Sequence, residues 1–172
     1  MNTLITLLMS LVVSFSPIWP LGQNPTYGDP FIIVNKETNR LAFVKDNQMV
    51  MEVPVATGKS EGLTPEGLFT MTVKAINPYY RKKNIPGGDP KNPLGSRWMG
   101  FDAKGTDGRI YGIHGTNQPK SIGERLTAGC IRMQKKDLET LYNQAPLGTR
   151  ILIIKSNQSA QKLAIEYGAL KP

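Results

Sequence analysis

Cysteine and histidine are nearly absent from this chain: among 172 residues there is one of each, Cys130 and His114. No disulfide can form within the chain, because a disulfide needs two thiols. A structural zinc site is not expected either, since such sites take four cysteine or histidine ligands, and no metal or cofactor is assigned. Acidic residues are few. There are 13 Asp+Glu against 21 Lys+Arg, a net charge of +8 and a pI near 9.6. The first 28 residues carry no charged side chain at all; Asp29 is the first. What remains is the composition of a folded protein, 40% hydrophobic and 20% charged, in a length that suits one domain.

The uncharged start has its own pattern. Leu4 to Phe15 (LITLLMSLVVSF) is an apolar run interrupted by Thr6, Ser10 and Ser14. It is short for a membrane span of ~20 residues and has the length of an export-signal core, ~7–15 residues. Met1-Asn2-Thr3 supplies no basic side chain, and Ser14-Phe15-Ser16 offers small-x-small spacing followed by Pro17. Three readings stay open for residues 1–28: a cleaved signal peptide, an anchor extended through Ile18, Trp19 and Leu21, or a buried N-terminal helix, with a Pro/Gly-rich linker at Gln23–Pro30. The first two are favoured, so the chain is expected to be exported to the cell envelope, secreted or held by its N-terminus. No cysteine lies near the segment, which excludes a lipoprotein anchor.

After the linker the pattern is that of strands. Phe31–Val34 and Leu41–Val44 are short apolar runs separated by the polar Asn35–Arg40, and Asp46-Asn47 is a turn signal. Met49, Met51, Val53 and Val55 alternate with Val50, Glu52 and Pro54, the two-residue period of a half-buried strand. Phe69, Met71 and Val73 alternate again. Residues 77–95 hold four prolines and three glycines and read as a long loop. Strands resume at Trp98–Phe101, Ile110–Ile113 and Ile151–Ile154. Lys135–Asn143 has Leu138, Leu141 and Tyr142 at helical spacing, and Ser159–Tyr167 is a second, weaker helix. The expectation is a mostly β domain with one or two peripheral helices.

The two rare residues fall in one stretch, Tyr111 to Met133 (YGIHGTNQPKSIGERLTAGCIRM). A thiol attacks as thiolate, and an imidazole beside it can take the proton. Gly129, just before Cys130, lets a substrate approach the backbone, where N–H groups can stabilise an oxyanion. A lone cysteine is more often a small buried hydrophobe. Export shifts that balance, because a free thiol in an oxidising compartment is a liability unless it does chemistry.

This stretch resembles the signature of the L,D-transpeptidase catalytic domain, a family of bacterial cell-wall cross-linking enzymes. Ile113-His114-Gly115-Thr116 matches the first half of the pattern and Thr127-Ala128-Gly129-Cys130-Ile131-Arg132-Met133 the second. Pro54–Lys59, Thr64-Pro65-Glu66-Gly67-Leu68-Phe69 and Asn92–Trp98 match further elements in order. Where the family often has a second histidine before Gly-Cys, this chain has Ala128. The resemblance implies a β-sandwich-like domain of two packed sheets over residues 29–156, followed by a C-terminal tail, 157–172, with helical character. It implies Cys130 as nucleophile, His114 as general acid–base and the Gly115 carbonyl as the group that orients the imidazole. Gly129 would shape the oxyanion site. Arg132 would either bind a substrate carboxylate or pair with Asp137, and Tyr111 would either line the pocket or pack.

The implied substrates are peptidoglycan stem peptides, acted on by a monomer. The product is a 3→3 cross-link if a second stem's amine takes the acyl group, an exchanged terminal residue if D-Ala is replaced, or a trimmed stem if water takes it, as in an L,D-carboxypeptidase. A reading of a different class, a non-catalytic wall-binding module, rests on charge. Lys74, Arg81, Lys82, Lys83 and Lys91 face only Asp89 within residues 74–91, which places half the net charge there. Such a patch suits anionic wall polymers. No nucleic-acid motif accompanies it, and nucleic acid is not expected as a partner.

Overall fold

The computed structural model describes residues 25–172, so the apolar run and the first two residues of the linker, Gln23 and Asn24, lie outside the described residues. Ten strands and two helices follow in order. The strands are β1 (Phe31–Asn35), β2 (Arg40–Lys45), β3 (Gln48–Pro54), β4 (Thr57–Gly58), β5 (Gly67–Ile76), β6 (Arg97–Phe101), β7 (Tyr111–His114), β8 (Arg125–Thr127), β9 (Ile131–Arg132) and β10 (Arg150–Ile154). The helices are α1 (Lys135–Gln144), between β9 and β10, and α2 (Ala160–Glu166), after β10. Eight strands form one mixed sheet in the order β3-β2-β1-β10-β5-β6-β7-β9, and β4 and β8 form a small parallel pair beside it.

The two expected layers are two halves of that single sheet. The join is β5, ten residues long. Its first part, Gly67–Thr70, pairs with β10; from Met71 onward it pairs with β6, with a register shift between Met71 and Val73. An irregularity of this kind bends a strand. The halves then curl around one core, in which Ile32, Val34, Leu41 and Phe43 from one side meet Met99, Phe101, Ile113 and Ile131 from the other.

β1 is apolar from Phe31 to Val34 because both its faces are covered. Ile32 and Val34 point into the shared core, whereas Phe31 and Ile33 meet Leu163 and Ala164 of α2 in a second cluster. β3 is a sheet edge covered on one face, so its residues alternate between half-buried and exposed, as their period-two sequence requires. Asp46 and Asn47 both take left-handed backbone, φ 52° and 57°, in the tight turn between β2 and β3.

α1 inserts Leu138 and Leu141 into the core. Its C-terminal carbonyls are capped from an unexpected quarter. Lys74 of β5 donates to Tyr142 O at 2.6 Å and Ala145 O at 2.7 Å, with its ammonium 4.2 Å from the Tyr142 ring centre. A cation at the negative end of a helix is favourable. Lys74 therefore leaves the basic surface group, which consists of Arg81, Lys82, Lys83 and Lys91 on the 77–95 loop.

Candidate active site

His114 and Cys130 come together because β7 and β9 are parallel neighbours. Ile113 pairs with Ile131 and His114 with Arg132. Ile113 and Ile131 are fully buried and fix which face looks inward. Strand residues alternate faces, so Gly112 and His114 on one chain and Cys130 and Arg132 on the other share the outer face. Cys130 lies sixteen positions after His114 in the sequence; the sheet makes them diagonal neighbours. By the same parity Tyr111 turns inward, packing on the core with its ring centre 6.3 Å from that of Phe101.

The imidazole is held at Nδ1 and on one ring face. Its Nδ1 lies 2.6 Å from Gly115 O. A carbonyl oxygen can only accept, so Nδ1 carries the proton and Nε2 is the nitrogen left with a lone pair. Gly115 is pinned in turn by its N–H donating to Leu94 O at 2.8 Å, while His114 O accepts from Met133 N at 2.9 Å. One ring face stacks on Trp98, at 5.5 Å between ring centres and 16° between planes. Trp98 stands opposite His114 in the β6–β7 register, and its indole N–H donates to Gly108 O at 2.9 Å. Gly112 makes room for the indole: a Cβ there would lie 2.6 Å from a Trp98 ring carbon.

The surroundings of both side chains disfavour their charged forms. Burial drives the His114 pKa down to about 4, and the nearby Arg132 cation pushes the same way against the bonds to the Gly115 and Leu94 carbonyls. Burial pushes the Cys130 thiol up, against a Gly112 N–H directed at the sulfur and the fields of Lys82 and Arg132. Both shifts favour the uncharged forms, a thiol and a neutral imidazole.

The depressed histidine makes stability depend on pH. Below about 6.5 the unfolded chain binds a proton that the folded chain refuses until about pH 4, so stability is complete above 6.5 and is lost as pH falls toward 4. The full window corresponds to roughly 3 kcal/mol. Wild type and His114→Gln should therefore differ in unfolding free energy by a pH-dependent amount across this window, measured by denaturant titration. A difference that stays constant from pH 7 to pH 4 would contradict the assignment.

The turn carrying Cys130 is held by two buried threonines. Thr127 Oγ1 donates to Cys130 O at 2.6 Å and accepts from Gly129 N at 3.1 Å. Thr64 Oγ1 donates to Gly129 O at 2.9 Å and accepts from Gly58 N at 2.8 Å. Gly129 takes φ 133°, and a Cβ there would lie 2.5 Å from Leu63 O. Since the Gly129 N–H is engaged by Thr127, it is not free to serve an oxyanion. Cys130 itself is half-buried, its Sγ 3.5 Å from the carbonyl of the exposed Ile110. Arg132 is half-buried, its guanidinium 3.4 Å from Gln118 Oε1, and it forms no ion pair with Asp137. Ala128 is exposed on the rim.

A family model for the L,D-transpeptidase catalytic domain (YkuD) matches residues 29–153. The chain belongs to this family. A putative L,D-transpeptidase of Bacillus subtilis, YqjB, is 59% identical over 163 residues, covering 95% of this chain and 93% of the relative. The putative L,D-transpeptidase YkuD of the same organism is 37% identical over 134 residues, 75% of this chain and 71% of the relative. Among solved structures, the catalytic domain of the Enterococcus faecium L,D-transpeptidase superposes with a TM-score of 0.56 at 25% identity, over 74% of this chain and 98% of that one. The Ldtfm–avibactam carbamoyl enzyme does so with a TM-score of 0.57 at 25% identity; this chain spans 50% of its length.

Beside the family's motif residues, the L,D-transpeptidase site contains side chains that sequence reasoning gave no role: Trp98, Thr64, Thr127 and Gly112. Thr64 and Thr127 stand within the quoted motifs, and their position there was the only available signal. Nothing local to Trp98 announces that it stacks on a histidine sixteen residues away.

Proposed function

We propose that this chain is a cysteine L,D-transpeptidase that acts on peptidoglycan stem peptides through a thioester. The observation that carries the reading is the pairing of a buried, neutral imidazole, whose Nδ1–H is spent on Gly115 O, with the only thiol of the chain on the adjoining parallel strand. The covalent carbamoyl enzyme formed by the structural relative with avibactam supports a covalent route.

In this mechanism Cys130 Sγ attacks the carbonyl carbon between the L-centre of diaminopimelate and D-Ala, and His114 Nε2 takes the thiol proton. The Cys130 N–H faces the developing oxyanion, the Gly129 N–H being occupied. Collapse breaks the C–N bond, and His114 returns its proton to the D-Ala amine. The amine of a second stem then attacks the thioester, regenerating the thiol and forming a 3→3 cross-link; a free D-amino acid as acceptor gives exchange of the terminal residue. Arg132 and Lys82, whose fields reach the thiol, attract the stem carboxylates. The exposed Arg81–Lys83 turn and Lys91 provide a weaker, salt-sensitive attraction to anionic wall polymers. The uncharged N-terminal run is taken to export the protein to the wall side of the envelope.

Purified protein incubated with a disaccharide-tetrapeptide should yield a 3→3 dimer and free D-Ala, resolved by liquid chromatography and mass spectrometry. Tripeptide alone, unaffected by added acceptor, would instead make the enzyme a carboxypeptidase. Unchanged substrate would refute both.

A further inference from the structure

The turn between β1 and β2 lies outside the quoted motifs, yet it holds the most buried ammonium of the described ion pairs. The Lys36 side chain is 8% exposed and donates to Glu61 O at 2.7 Å, Thr64 O at 3.1 Å and the Glu66 carboxylate at 2.9 Å. An ammonium has three protons, so its donors are fully used. All three acceptors belong to one loop, residues 59–66. That loop supplies the Thr64 hydroxyl bonded to Gly129 O and the Leu63 carbonyl packed against Gly129 Cα. From Lys36 to the nucleophile is therefore a continuous path: ammonium, Thr64 backbone, Thr64 hydroxyl, Gly129 carbonyl, Cys130.

The same turn grips the other flank of the site. Asn39, at φ 50°, donates to Gly123 O at 2.8 Å and accepts from Thr57 Oγ1 at 2.8 Å. Arg125 reaches back to Lys36 O at 2.8 Å and Glu37 O at 3.1 Å. Residues 57–66 and 123–127, which frame the nucleophile turn, are both tied to residues 36–39.

We infer that Lys36 is a positioning residue for Cys130, clamping the 59–66 loop so that Thr64 and Leu63 hold the Gly129–Cys130 peptide in its reactive geometry. A lysine placed there for stability alone would be an uneconomical choice, because burying a charge costs free energy that an apolar residue of similar size avoids. Its three bonds to one loop instead specify a single loop position. The inference rests on the acyl-transfer reading for its kinetic consequence but not for its structural one.

The test uses Lys36→Met, which keeps the stem and removes the donors, and Lys36→Arg, which keeps charge and donors. In Lys36→Met, amide exchange at Gly58 and Gly129, whose N–H groups are bonded to the two threonine hydroxyls, should accelerate at least tenfold while the amides of β1 and β10 keep wild-type rates. The kcat for acyl transfer should fall at least tenfold with KM within twofold, and Lys36→Arg should recover most of both losses. Should Lys36→Met not fold, Glu66→Gln, which weakens one of the three bonds, should show the same local exchange pattern at smaller amplitude. Unchanged exchange at Gly58 and Gly129, or acceleration spread evenly over the molecule, overturns the inference even in the absence of any turnover. If wild type forms no acyl-enzyme while the exchange pattern holds, the acyl-transfer reading fails and the clamp stands.

Discussion

Replacing Cys130 by alanine should abolish acyl-enzyme formation and lower turnover of a tetrapeptide stem by on the order of 10⁴-fold or more, the scale seen when a covalent nucleophile is removed. The substitution should leave the fold alone. The Cys130 side chain is half-buried, its thiol 3.5 Å from Ile110 O and approached by the Gly112 N–H, so its loss opens little space and costs only these two weak sulfur contacts. Folding and activity thus separate: circular dichroism and the unfolding midpoint should match wild type while product formation vanishes. A Cys130→Ala protein that still releases D-Ala would remove the thiol from the reaction.

The second large effect is expected at a residue with no reactive group. Gly129 takes φ 133° against the Leu63 carbonyl, a backbone region that side chains rarely enter. Alanine there would meet a backbone oxygen at 2.5 Å, and that oxygen cannot swing aside because Lys36 holds its loop at Glu61 and Thr64. Relief requires moving one of the two segments. The expected cost is about 2–4 kcal/mol in stability, the range of strained backbone plus overpacking. A displacement of the cysteine by about 1 Å should add a loss on the order of 10²-fold in acylation rate. Thermal unfolding and single-turnover acylation of Gly129→Ala measure the two parts. Wild-type acylation in that variant would mean that the turn's geometry does not matter to catalysis.

The sequence carried the long elements and little of what joins them. β1, β2, β3 and β10 are legible because burial on one or two faces imposes a pattern several residues long, and α1 because Leu138 and Leu141 recur at helical spacing. β4, β8 and β9 have two or three residues each, too few to show any period, yet β9 is what sets Cys130 beside His114. Cys130 and His114 stand out in the sequence through scarcity and motif. The Gly115 carbonyl bond was expected from the resemblance; the depth of burial that shifts both groups was not, since it follows from the fold. Lys36 and Lys74 show the same limit. In sequence each is one more cation in a basic chain; in the structure one clamps a loop and the other caps α1, because contacts 25 to 71 residues away decide what a lysine does.

The central claim is that Cys130 becomes acylated by the stem peptide with loss of D-Ala. Intact-mass spectrometry of the protein rapidly mixed with a tetrapeptide stem and quenched in acid tests it most directly. The account predicts a single adduct of the tripeptidyl acyl group, located at Cys130 by peptide mapping and absent from Cys130→Ala. Product formation with no adduct under conditions that trap thioesters, or an adduct that persists in Cys130→Ala, would contradict it.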